Sequence, residues 1–390
     1  MTHDPTQSPF QLADDHRGHL GLGQLWHRTR ALERPQRPPL LAMLSIMGAH
    51  QSLYGLTRLL QRLDDVFYSD YRQQTVKSPL FIIANPRSGT TFLHNLLALD
   101  EERYTYHRLY HTMLPSVTAY KLINAGIHVD RRVGRPLGRV VDWIDRKTLP
   151  MWDDIHPVSL NRTEEDELLF LYKLASMSIC MLSPLTDDLE AVTLLDRAPK
   201  ETRDAIMDFY QSCLQRHIYG TDPNKQFLGK NVLMSGRLAS LLERFPDARI
   251  VYLVRHPYEA IPSFVSMFSA TWQRLAPRLA PGSDAHRTLG TIGVMLYHHV
   301  HQQRSLIPSK NYLDLRYTDL IADPQAAVRQ IYERFEIPIS PAFEQRLTQA
   351  TNRAKRYRSA HTYHLEDTGW SKEEIRAALA DVFETYGFED

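Results

Sequence analysis

The stretch PLFIIANPRSGTTFLHNLLALD, Pro79 to Asp100, decides how the rest of the chain is read. An apolar run, Leu80 to Ala84, stops at Asn85-Pro86, turns through Arg87-Ser88-Gly89, and resumes at helical spacing from about Thr90. Strand, tight loop and helix is the grammar of a phosphate-cradling loop, usually written G-x-x-x-x-G-K-[ST]. Here the aligned letters are Ala84-x-x-x-x-Gly89-Thr90-Thr91, so alanine replaces the first glycine and threonine the lysine. What remains is still suited to an anion. Backbone N–H groups and the positive end of the helix converge on one point. Gly89 permits close approach, Ser88, Thr90 and Thr91 carry hydroxyls, and Arg87 supplies a planar donor fork. A turn that merely joined strand to helix would not need that donor set, so the loop is expected to hold a phosphate-like group.

Working outward, LFIIA (80–84), QFLG (226–229), RIVYLV (249–254) and NYLDLRY (311–317) read as four strands separated by helical stretches. That alternation predicts an α/β chain with a central parallel sheet flanked by helices. The unbroken apolar character of the strands fits a sheet covered on both faces. The second informative strand end is YLVRHPYEAIPSFVSM, where Arg255 closes the strand and Ser263 follows eight positions on. Ligands of parallel sheets sit beyond the carboxyl ends of the strands, so Arg255 is expected on the same edge as the 87–91 loop. Residues 1–75 read as an N-terminal helical extension and 76–390 as the main domain. Its 104–219 segment reads as a helical insertion suited to an acceptor pocket.

With both motifs in view, the chain resembles the sulfotransferases that use 3′-phosphoadenosine-5′-phosphosulfate (PAPS), and looks closest to the bacterial families. Their first motif, Pro-[Lys/Arg]-Ser-Gly-Thr-Thr, looks like Pro86 to Thr91 with Arg87 as the basic member. Their second, an arginine at a strand end and a serine eight residues on, is matched by Arg255 and Ser263. The similarity runs through LDLRYTDLIADP to YHLEDTGWSKEEI, roughly Pro79 to Phe388. It implies a P-loop NTPase-like fold and in-line transfer of a sulfuryl group, without a metal, to a hydroxyl or amine of a small-molecule acceptor. The product nucleotide would be adenosine 3′,5′-bisphosphate (PAP). The resemblance places the 5′-phosphosulfate in the 87–91 loop and the 3′-phosphate on Arg255 and Ser263. It also suggests that residues 355–367 fold over the nucleotide, with Arg358 reaching the 3′-phosphate and Tyr317 or Tyr363 meeting the adenine. A solvated basic turn is the plainer reading of that segment.

The proton acceptor is less legible. The Lys-x-His pair of cytosolic relatives is met in GKNVLMSGR by Lys230 alone, and the glutamate other members carry near residues 107–109 is replaced by His107-Arg108-Leu109. The stretch MWDDIHPVSLNRTEEDELLF offers His156 first and Glu165 second as general base, with His107 and His111 as further options. The acidic run after Thr163 also reads as first-turn carboxylates complementing a helix dipole, with Thr163 as the cap. Lys230 is expected as a cation near the transferring group. Two other classes stay open at this point. A P-loop kinase or NTPase would use Mg-ATP, against which Thr90 in the lysine position counts. A non-catalytic nucleotide-binding module is suggested by the missing family base.

Composition narrows the setting. The 390 residues carry a formal charge of +1, so no global basic field points to nucleic acid and any anion site must be local. Two cysteines are too few for a disulfide framework, which points to a reducing, cytoplasmic compartment. No long apolar run predicts a membrane span. Pro38 to Phe67 has amphipathic spacing and reads as one or two helices packed on the core; the alternative is a lid, or an interfacial helix in peripheral contact with a lipidic substrate. YHHVHQQR places His298 and His301 on one helical face, expected to be packed or solvated rather than to bind a metal. Near the C-terminus, Ser371 followed by Glu374 predicts a capping box. Trp143, Met151, Trp152, Tyr172, Phe268 and Trp272 are compatible with a hydrophobic acceptor and equally with core.

Overall fold

The computed structural model describes residues 18–32, 37–140, 163–181, 189–275, 279–280, 282–354 and 364–389. Five strands, β1 (Leu80–Ala84), β2 (Tyr104–Thr105), β3 (Gln226–Lys230), β4 (Arg249–Val254) and β5 (Tyr312–Arg316), form one parallel sheet in the order β2-β3-β1-β4-β5. β1 is central: Leu80 pairs with Leu228 of β3 on one side and with Arg249 of β4 on the other. The chain fills one flank of β1 with β2 and β3, then crosses to build β4 and β5 on the other. That makes β1 the switch point where open α/β sheets bind ligands beyond the carboxyl ends of their strands.

Alternation along β1 feeds two cores. Phe81 and Ile83 join Ile206, Met207 and Tyr210 of the helix Lys200–Thr221, together with Val382 and Phe383 near the C-terminus. Leu80, Ile82 and Ala84 join Leu93, Leu96 and Leu97 on the opposite face. Burial of each such aliphatic or aromatic side chain contributes roughly 1.5–3 kcal/mol, and all five β1 residues are buried. A third cluster packs Phe264, Phe268 and Trp272 of the helix Pro257–Leu275 against Leu289, Ile292 and Leu296 of the helix Asp284–Gln303. Phe268 and Trp272 therefore belong to the core, with Trp272 Nε1 donating to the Cys180 carbonyl at 2.7 Å. Tyr172 is buried too.

The sequence reading expected four strands, and β2 is the fifth. Two residues are too short to leave an apolar run, yet Tyr104 and Thr105 pair in register with Gln226 and Phe227. The segment read as a helical insertion thus opens with a strand. The helical stretch between β3 and β4 consists of a short 3-10 turn, Val232–Gly236, and the helix Leu238–Arg244. The capping box is present: Ser371 Oγ accepts from the Glu374 amide at 3.2 Å, and Glu374 Oε2 accepts from the Ser371 amide at 2.8 Å.

Before the sheet lie α1 (Leu22–Ala31) and α2 (Leu40–Phe67); after β1 come α3 (Thr90–Leu97), α4 (Leu109–Met113) and α5 (Val117–Arg132). α2 is one helix packed on α5, through buried residues that are mostly polar, with Met43 the apolar one among them. Its inward residues include Thr57, Gln61 and Asp64, while Leu41, Leu44, Leu59 and Val66 face out. Asp64 anchors it, accepting from Ser116 Oγ (2.9 Å), the Val117 and Thr118 amides (3.0 and 2.7 Å) and Arg216 Nε (3.0 Å). A buried carboxylate so satisfied fixes α2 to the start of α5. Among the described residues no helix is long and apolar enough to cross a membrane.

Candidate active site

The loop after β1 is shaped by two residues in the left-handed region, Arg87 (φ 69°) and Gly89 (φ 84°). Gly89 has a second reason to be glycine. A Cβ there would stand 2.9 and 3.0 Å from ring carbons of Tyr317, which opens the helix following β5. Arg87, with a side chain, holds its conformation at a cost of about 1–2 kcal/mol. Ser88 is fully buried, Thr90 is nearly so as the first residue of α3, and Thr91 is partly exposed.

The second strand end meets this loop. Arg255 Nη1 donates to the Arg87 carbonyl at 2.8 Å, and the Arg255 guanidinium lies 4.5 Å from the centre of the Tyr317 ring. Arg87 Nε donates in turn to Ser263 Oγ at 3.3 Å, with Ser263 buried nearly two turns into its helix. Arg255 Nε also pairs with Glu259 Oε2 at 2.8 Å. Arg87, Arg255, Ser263 and Tyr317, three of them far from the loop in sequence, thus form one connected group at the carboxyl edge of β1, β4 and β5.

On the other flank, Lys230 ends β3 with its side chain fully buried. Its Nζ lies 2.8 Å from Glu165 Oε1 and donates to Thr91 Oγ1 at 3.1 Å. Glu165 keeps about a fifth of its side chain exposed. Its backbone is pinned on both sides, because the Glu164 amide donates to the His107 carbonyl (2.9 Å) and the Asp166 amide to the Lys230 carbonyl (3.2 Å). The acidic run is therefore not a set of first-turn carboxylates under a Thr163 cap. Thr163 instead pairs with Arg108 and donates to Asn95 Oδ1 at 2.6 Å, and the helix starts later, at Glu167.

Each acid has its own partner. Asp166 accepts from His107 Nδ1 (2.6 Å) and from the Tyr210 hydroxyl (2.8 Å). Glu167 accepts two bonds from Arg237, at 2.6 and 2.9 Å, and one from Asn231 at 2.9 Å. Only Glu165 of these three faces the loop through Lys230. His107 and His111, the further base candidates, are both buried, and His111 Nδ1 accepts from the Arg108 amide at 3.1 Å. Burial lowers the pKa of His111 well below the usual value. His94 on α3 is driven down to about 3, first by burial and then by the nearby Lys230 charge. His156, Arg358 and Tyr363, with Trp143, Met151 and Trp152, lie outside the described residues.

Several partners escaped the sequence reading. Glu259 stands four positions after Arg255 at a helix start, a spacing that could have flagged the pair. The His107–Asp166–Tyr210 group joins three distant segments and left no local signal. His298 and His301 gather around Asp381, at 3.8 and 3.5 Å. Among the described residues no group of three or more His, Cys, Asp or Glu side chains could hold a metal ion.

A model of the sulfotransferase family matches residues 79–341, spanning the loop, Lys230, Arg255 and Tyr317. The chain belongs to the sulfotransferase family. As a sulfotransferase it moves a sulfuryl group from PAPS to an acceptor, and this sets aside the kinase and binding-module alternatives. Among curated relatives, the omega-hydroxy-beta-dihydromenaquinone-9 sulfotransferases Stf3 of Mycobacterium bovis and Mycobacterium tuberculosis are each 26% identical over 325 residues, 80% of this chain and 75% of theirs. Among solved structures, sulfotransferase STF9 from Mycobacterium avium superposes with a TM-score of 0.73 at 19% identity, covering 97% of this chain and 93% of that one. Sulfotransferase STF1 from Mycobacterium tuberculosis gives 0.66 at 19% identity, covering 92% and 90%. At that identity the structural likeness speaks for the fold, which this sulfotransferase shares along nearly its whole length.

Proposed function

We propose that the Arg87–Thr91 loop holds the 5′-phosphosulfate of PAPS, that Arg255 and Ser263 hold the 3′-phosphate, and that Tyr317 meets the nucleotide. What supports this most is the Arg87–Ser263 bond, which brings the two anion-binding motifs within one side chain's length. The close approach of Tyr317 to Gly89 supports an aromatic surface beside the loop. Two guanidinium groups and a helix N-terminus can compensate a doubly phosphorylated nucleotide without a metal ion. Arg358 stays the family's candidate for a further 3′-phosphate contact.

For the transfer itself, Glu165 is the proposed general base and Lys230 the cation beside it. The acceptor oxygen bonds to sulfur as the bond from sulfur to the bridging phosphate oxygen breaks, and the electron pair of that bond stays on the departing PAP. The hydroxyl proton passes to a Glu165 carboxylate oxygen. Lys230 and Arg87 stand where negative charge grows on the leaving group, the kind of fixed electrostatic complement that lowers transfer barriers. The 2.8 Å contact between Lys230 Nζ and Glu165 Oε1 supports this pairing of roles; His156, the first candidate of the sequence, lies outside the described residues.

The proposed acceptor is a lipid-like alcohol, bearing a hydroxyl on a long apolar body. The curated relatives support it, since their names denote a hydroxylated menaquinone. A cytoplasmic setting is proposed on the cysteine count, since two cysteines are too few for a disulfide framework. The test is transfer of labelled sulfate from PAPS to a panel of alcohols. Turnover on hydroxylated polyprenyl quinols, with little on short water-soluble alcohols, supports the acceptor class. Turnover confined to the short alcohols would contradict it.

A further inference from the structure

α5 and the turn after it carry an arrangement that the donor site does not use. Leu122, Val129, Val133, Leu137 and Val140 are each more than half exposed. Among them stand Lys121, Arg131, Arg132, Arg135 and Arg139, all at exposed positions. One carboxylate, Asp130, lies in this stretch, and it is turned inward. Its two oxygens accept from the Leu137 and Gly138 amides at 2.7 and 2.8 Å, so a single carboxylate stands against the five cations of this stretch. Gly134 (φ 85°) and Arg135 (φ 61°) turn the chain after α5, and the Asp130 bonds hold residues 137 and 138 beside its last turn. α2 packs against α5, and its own outward residues include Leu41, Leu44, Leu59 and Val66.

From this surface we propose that the segment Lys121–Val140 docks the protein on an anionic lipid bilayer, without crossing it. Leucine and valine side chains gain by leaving water for the acyl region, while arginine and lysine stay at the headgroup level. The cations complement anionic headgroups locally, in a chain whose overall charge is only +1. A second copy of the chain fits less well, because a two-fold interface lays the same patch against itself and would set these arginines against one another. A polyphosphate partner would leave the exposed aliphatic side chains unused.

The experiment is co-sedimentation of the full chain with large unilamellar vesicles, either phosphatidylcholine alone or with about a third phosphatidylglycerol. The protein should sediment with the anionic vesicles and remain in solution with the neutral ones. Val133→Ser with Leu137→Ser, and separately Arg131→Gln with Arg132→Gln and Arg139→Gln, should each release it. Each cation contributes roughly a factor of five at an anionic surface, so the triple variant should bind on the order of a hundredfold more weakly. All these side chains are exposed, so the melting temperature should not move, and PAP affinity should stay at the wild-type value in both variants. Failure to bind anionic vesicles, or equal binding by wild type and both variants, would overturn the proposal. So would a wild-type dimer, in sedimentation equilibrium, that the same substitutions dissolve while vesicle binding is absent. None of these readings needs an acceptor, so the outcome is independent of the acceptor assigned above.

Discussion

Arg87 Nε and Ser263 Oγ lie 3.3 Å apart although 176 positions separate them in the chain. The first belongs to the loop after β1 and the second to the helix after β4. Their contact, with Arg255 Nη1 on the Arg87 carbonyl, joins the two motifs in one surface. The electrostatic tasks proposed for each motif can be separated by substitution.

Arg255→Ala removes the cation proposed for the 3′-phosphate. It should weaken PAP binding by about 1.5–3 kcal/mol, the scale of a hydrogen bond to a charged group. Binding of 5′-AMP, which lacks that phosphate, should hardly change. Titration of both nucleotides checks this, and equal losses would remove Arg255 from the 3′-phosphate role.

Arg87→Ala should lower turnover more than donor affinity. Charge on the bridging oxygen grows towards the transition state, so a cation there is worth more to kcat than to binding. Steady-state kinetics in PAPS separates the two effects. An increase in donor KM at constant kcat would mean that Arg87 serves binding alone.

Glu165→Gln keeps the size of the side chain and removes the proposed proton acceptor. General-base catalysis contributes typically 10²–10⁴-fold, and kcat should fall within about that range while PAP affinity stays near the wild-type value. Retention of full turnover would pass the role to His156.

Acid should unfold the protein earlier than its carboxylates alone require. His94 is neutral down to about pH 3, and burial also lowers the pKa of His111 and His217 well below the usual value. In the unfolded chain these rings take up protons near pH 6.5. Below that pH the unfolded state binds more protons than the folded one, so stability falls as pH drops from about 6.5 towards 3. Each such histidine contributes a slope of up to about 1.4 kcal/mol per pH unit. Urea midpoints between pH 7 and 5 measure it, and a flat profile would show that these rings protonate inside the fold.

The parts of the site legible in the sequence are those written as local grammar. Leu80–Ala84 is an apolar run, Arg87 to Thr91 is a dense set of donors, and Arg255 and Ser263 keep a fixed spacing on one strand–helix unit. What the sequence could not give depends on chain segments meeting. β2 is two residues long and exists because Tyr104 and Thr105 pair with β3. Glu165 looked like one of several helix-start acids; it is set apart by Lys230, which approaches from a strand more than sixty positions away. The inward polar face of α2 was hidden for a related reason. Asp64 is buried because Arg216 and the start of α5 surround it, and amphipathic spacing alone does not say which side of a helix meets the core.

The most direct test of the donor site is calorimetric titration of the wild-type protein with PAP in the presence of EDTA, beside 5′-AMP and Mg-ATP. The arrangement of Arg87, Arg255 and Ser263 predicts tight, metal-independent binding of PAP, weaker binding of 5′-AMP and no preference for Mg-ATP. Binding of Mg-ATP with loss of PAP affinity in EDTA would contradict it.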